Sequence, residues 1–89
     1  MNSATTLRFR SAFAALPREV QDRARKAYFL WRKNQRHPSL HFKKVGKIWS
    51  ARIDGNHRAL AHVVGDTAYW FWIGTHAEYE ILIRQNREH

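Results

Sequence analysis

The chain has 89 residues, a formal net charge of +9 and no cysteine. That length suits one domain, residues 1–89, with a modest core, and the missing thiols exclude disulfides and thiolate metal sites. A 44% hydrophobic content with four tryptophans excludes a disordered tail, and the charge predicts attraction to a polyanion, either nucleic acid or an acidic protein. No apolar stretch approaches a membrane span. The patch at residues 12–16, broken by Pro17, is too short for a signal-peptide core, so a cytoplasmic location is expected.

Taken in chain order, residues 5–9 read as a short edge strand, and residues 10–16 add a helical turn. Pro17 suits a helix start, where its missing N–H costs nothing. Leu16, Val20, Ala24, Ala27, Tyr28 and Trp31 then follow one apolar stripe at three- and four-residue spacing, which predicts a helix over residues 17–34, ending before Pro38. Residues 35–47 lack a clear period and read as a loop that Leu40, Phe42 and Val45 pin to the core. Three strands follow at residues 48–53, 57–64 and 67–73. The Asp54-Gly55 and Gly65-Asp66 pairs between them signal tight hairpins, so these strands are antiparallel. The last run, from Tyr69 to Ile73, has no polar member and predicts a strand covered on both faces. Gly74 allows the bend that follows it. Thr75 with Glu78 three residues later is a capping box, and a helix over residues 76–84 closes the chain. The expected class is α+β: a small curved antiparallel sheet of three to four strands packed against an N-terminal helical region, with a short C-terminal helix.

Alternation along the strands places Arg52 and Arg58 on the sheet face opposite the long helix. Two guanidinium groups from adjacent strands suit a phosphate clamp; as ordinary surface charges they would pair with Asp54, Glu78 or Glu80 instead. His76 falls on the first turn of the last helix, where the helix dipole favours a neutral ring able to take up a proton and then return it. Its plainer role is that of a helix-start residue chosen for hydrogen bonding. Tyr79 lies one turn further on the same helix face, as a second site group or as a core aromatic. Residues 32–47 hold eight Lys, Arg and His side chains, Lys43 and Lys44 among them, a generic phosphate-holding cluster. The six histidines show no metal-binding spacing, so neither a metal nor another cofactor is expected. Cutting RNA without a metal needs a base for the 2′-hydroxyl, cations for the charge growing on the phosphate and a donor for the leaving 5′-oxygen. Arg52, Arg58, His76, Tyr79 and the nearby lysines contain all three.

Over nearly its whole length the chain resembles toxins of the RelE/ParE superfamily, from bacterial type II toxin–antitoxin pairs. The stretches that carry the resemblance are FAALPREVQDRARKAYFLW, HPSLHFKKV, WSARIDGNHRAL and WFWIGTHAEYEILI, and the pairing of HRAL with WIGTHAEY is the most specific. The ending is nearer the histidine-using branch with YafQ-like and HigB-like toxins than the lysine-rich, ribosome-dependent RelE pattern. The resemblance implies a metal-independent mRNA endoribonuclease associated with ribosomes, with Arg58 and His76 matching the family's strand arginine and its Gly-Thr-His turn. Tyr79 matches an aromatic a few residues on. Lys43, Lys44 and Lys47, with His62, are the residues expected to hold RNA. It also implies a cognate antitoxin with an acidic surface covering the basic face, to which exposed Trp and Tyr would offer anchors, and DNA contact only through the toxin–antitoxin complex. Two alternatives accompany it. One is a ParE-like toxin that inhibits DNA gyrase without catalysis. The other is a degenerate member whose visible activity is association with its partner.

Overall fold

The computed structural model describes residues 1–87. Five strands form one sheet: β1 (Asn2–Thr5), β2 (Lys43–Val45), β3 (Ile48–Asp54), β4 (His57–Val64) and β5 (Thr67–Thr75), in the spatial order β1-β5-β4-β3-β2. Helices α1 (Leu7–Ala14) and α2 (Arg18–Lys33) precede β2, and α3 (His76–Arg87) follows β5. Strands β2 to β5 run antiparallel in hairpin succession, whereas β1 pairs with β5 in parallel. The class is α+β as expected, but the sheet is mixed and has five strands.

Two departures from expectation sit at the sheet edges. The N-terminal strand ends at Thr5 because Thr6 is taken as a helix cap: its Oγ1 accepts a hydrogen bond from the Phe9 N–H at 3.1 Å. The basic loop folds further than its aperiodic sequence implies. Pro38–Leu40 form one 3₁₀ turn, and Lys43–Val45 pair with β3 as a three-residue strand too short to carry an alternation signal. Gly46, at φ 63°, supplies the left-handed residue that the β2–β3 turn requires.

The sheet is covered on both faces. On one, α1 and α2 bury Ala24 and Trp31 against Ala51, Ala59, Ala61, Ala68, Trp70 and Ile73. Small residues on β3 and β4 leave room for Trp31, which stands edge-on to Trp70 and Phe42 at ring distances of 5.4 and 5.8 Å. Phe42, with Leu40, thus anchors the loop in the core. Tyr28, read as part of the buried stripe, is instead exposed beside Phe29. On the opposite face α3 sets Tyr79 and Ile83 against Val45, Ile48, Leu60 and Trp72. A bulge decides which residues of β5 face which layer. Leu60 pairs with Trp72 and Ala61 with Trp70, so Phe71 is an extra residue that shifts the phase of β5. Trp70 and Ile73 then face the helical hairpin while Trp72 faces α3. All four tryptophans are buried or half-buried, so none offers an exposed anchor.

Candidate active site

Arg52 on β3 and Arg58 on β4 are direct cross-strand neighbours on the α3 face of the sheet. Like charges so placed repel. Arg58 is held nonetheless, because its Nη1 donates to the carbonyls of Asp54 at 2.6 Å and His57 at 2.9 Å. Among the described residues no hydrogen bond or ion pair reaches the Arg52 guanidinium. Neither guanidinium pairs with the carboxylate of Asp54, Glu78 or Glu80. The Asp54 carboxylate is taken up by Arg23, His57 and the Asn56 N–H.

The capping box forms at the strand-to-helix junction. The Glu78 N–H donates to Thr75 Oγ1 at 3.2 Å, and the Thr75 N–H and hydroxyl donate to Glu78 Oε1 at 3.0 and 2.9 Å. Those two bonds, the backbone one foremost, hold the Glu78 carboxyl below its ordinary value. The box fixes the first turn of α3 and so places His76. The His76 N–H donates to the Asn56 carbonyl at 2.7 Å, which ties the helix start to the β3–β4 turn. The imidazole is 41% exposed, with Nε2 3.3 Å from Glu80 Oε1. Gly74 serves space rather than backbone bending. Its φ is not positive, and a Cβ there would lie 2.5 Å from the Trp72 ring and 3.0 Å from Glu78 Oε1.

These parts converge. His41, Lys43, Ser50, Arg52, Arg58, His76, Tyr79, Glu80 and Ile83 line one cleft of about 280 Å³. Its lining thus carries three permanent cations and two imidazoles against one carboxylate. Tyr79 is only 7% exposed and belongs to the core beneath the cleft, its ring 5.6 Å from that of His76. Lys43 reaches the cleft because it pairs with Ser50 on β3; Lys44 pairs with Trp49, on the alternate face. Lys44, Lys47 and His62 do not line the cleft. His62 shares the cleft's face of β4 but stands two positions beyond buried Leu60, its ring stacked on Phe71 at 4.5 Å. His41, Ser50 and Glu80 are cleft residues that sequence reasoning did not single out. His41 is the one described non-glycine residue with positive φ, 44°, at the end of the 3₁₀ turn that Pro38 starts. Among the described residues no group of three or more His, Cys, Asp or Glu could hold a metal ion, and no helix is long and apolar enough to cross a membrane.

No protein-family model and no curated protein matches the chain. Solved structures do. The RelB–RelE antitoxin–toxin complex from Methanococcus jannaschii contains a chain similar at a TM-score of 0.70, with 16% identity over 89% of this chain and 96% of that one. YafQ from E. coli gives 0.66, with 10% identity over 88% and 96%. The toxin–antitoxin complex RelBE2 from Mycobacterium tuberculosis gives 0.62, with 19% identity over 83% and 95%. The chain therefore has the fold of RelE- and YafQ-type toxins across nearly their full length.

Proposed function

We propose that this protein is the toxin of a type II toxin–antitoxin pair and that its cleft cleaves mRNA without a metal. The observation that carries the reading is the meeting of His76, Arg52, Arg58 and Lys43 in one polar cleft on a fold shared with RelE and YafQ. In this reading His76 exchanges the protons of the reaction, taking one from the 2′-hydroxyl or giving one to the leaving 5′-oxygen. Arg58 and the uncommitted Arg52 stabilise the charge that builds on the phosphorane oxygens. Tyr79 orients the leaving group beside His76. Lys43 holds the RNA backbone, Lys47 and His62 extend that contact from outside the cleft, and Lys44, on the other face of the sheet, is left to a contact away from the cleft. Such a cluster needs no cofactor. The alternative, a ParE-like gyrase inhibitor, has no use for an imidazole set among guanidinium groups and is less favoured.

The partner in this reading is an antitoxin, as in the two similar complexes named RelB–RelE and RelBE2. An acidic surface on it complements the cationic cleft, and exposed Tyr28 and Phe29 on α2 offer aromatic anchors in place of the tryptophans. The test is induction of wild type, His76→Ala and Arg58→Ala in cells, with circular dichroism on each purified protein. The expected outcome is growth arrest by wild type alone and native spectra for all three. Full toxicity of both folded variants would refute the mechanism.

A further inference from the structure

We infer that Asp54 is a positioning residue for this cleft: through the β3–β4 turn its carboxylate fixes the backbone carbonyls that hold Arg58 and the start of α3. Its kinetic consequence rests on the nuclease reading above; its geometric content does not.

The turn is built around one carboxylate. Asp54 Oδ1 accepts the Asn56 N–H at 2.8 Å and lies 3.0 Å from His57 Nδ1, while Oδ2 accepts from Arg23 Nη1 on α2 at 3.2 Å. Bonds to an ionised acceptor are the stronger kind. The Arg23 end is more than half exposed, so that link contributes little, and the fixing force comes from Asn56 and His57. The carbonyls so held all point to one use. Those of Asp54 and His57 receive Arg58 Nη1, and that of Asn56 receives the His76 N–H. One turn thus anchors the guanidinium and the helix that presents the imidazole. Asp54 itself does not line the cleft, so it acts through these partners rather than on RNA. Gly55 sits in the middle of the turn, where a glycine backbone is freest to leave its conformation once the carboxylate is gone.

The experiment compares Asp54→Ala with Asp54→Asn, which keeps an oxygen of the same shape for the Asn56 N–H. Amide hydrogen exchange is read at His76 and along the β4–β5 ladder, and kcat and KM are read in whichever RNA-cleavage assay the wild type supports. In the alanine variant we expect His76 to exchange on the order of tenfold faster while the ladder amides hold. We expect kcat to fall on the order of 100-fold with KM within about threefold, as for a misplaced catalytic group. Asparagine should restore most of both. Unchanged exchange at His76, loss of protection spread evenly over the ladder, an intact kcat despite local opening, or an asparagine variant no better than alanine would each overturn the proposal. If the wild type cleaves no RNA, the nuclease reading falls; the exchange data then decide Asp54 alone, local opening reversed by asparagine supporting it and its absence refuting it.

Discussion

His76 and Arg58 differ in how far the fold commits them, and that difference sets their substitution patterns. The imidazole is partly exposed at the first turn of α3, so under the proposed function its removal should cost the fold little and RNA cleavage much. Arg58 is half-buried and bonded to two carbonyls through one nitrogen, which leaves the rest of its fork for a phosphate. Arg58→Lys keeps the charge but neither the fork nor both carbonyl bonds. We expect its cleavage rate to fall at least about tenfold, close to that of Arg58→Ala, in a single-turnover assay. Recovery to the wild-type rate would show that charge alone suffices. Gly74 makes a separate case. Its substitution by alanine drives a methyl group into Trp72, which is only 7% exposed and has no room to retreat. The expected cost is about 1–3 kcal/mol in urea denaturation, the range for overpacked cores.

At the scale of elements, the junction of β5 and α3 governs the site. Thr75→Ala removes the cap acceptor and should cost about 1 kcal/mol, or about 4–8 °C in Tm for a domain of this size. Glu78 gives the junction a pH dependence whose sign follows from its lowered carboxyl. A group depressed in the folded state adds stability above its unfolded value, and that contribution disappears as pH falls through the folded value. Asp54 acts the same way. Partial burial works to raise its carboxyl, but the bond from the Asn56 N–H, the bond and attraction of His57 and the bond from Arg23 outweigh it. The denaturation midpoint should therefore drop between pH 6 and pH 3, and Glu78→Gln, which cannot titrate, should show a smaller drop. An equal drop in both proteins would remove Glu78 from the account.

This junction was also where the sequence spoke most plainly. Thr75 and Glu78 carry a local signal, three residues apart, that depends on nothing distant. The stripe of Val20, Ala24 and Trp31 and the two-residue turns were legible for the same reason. What stayed hidden was non-local. The parallel pairing of β1 with β5 joins Asn2 to Thr67, and no periodicity within four residues announces it. Lys43 enters the cleft and Lys44 does not only because β2 pairs with β3 in one register. The bulge at Phe71 reverses the phase that strict alternation assigns to Trp70. Of the cleft residues, Arg52, Arg58, His76 and Tyr79 stood out by type and place. His41, Ser50 and Glu80 join them only through the fold.

The whole molecule separates two surfaces. One sheet face carries the cationic cleft; the other carries an apolar groove of about 280 Å³ between the sheet and the helical hairpin, bordered by Tyr28 and Phe29. With a net charge of +9, attraction to RNA should fall steeply with salt. Lys43→Ala should lower the slope of log affinity against log salt by about one, at every RNA sequence tried. A sequence-selective loss would point to base recognition instead. The central claim, that the clustered imidazole and guanidinium groups cut message, is tested most directly by mapping transcript 5′ ends in cells making wild type, His76→Ala or Arg58→Ala at equal levels. New ends within coding sequence in the wild type, absent from both variants, are the predicted result. No new ends in the wild type, or the same ends in all three, would contradict it.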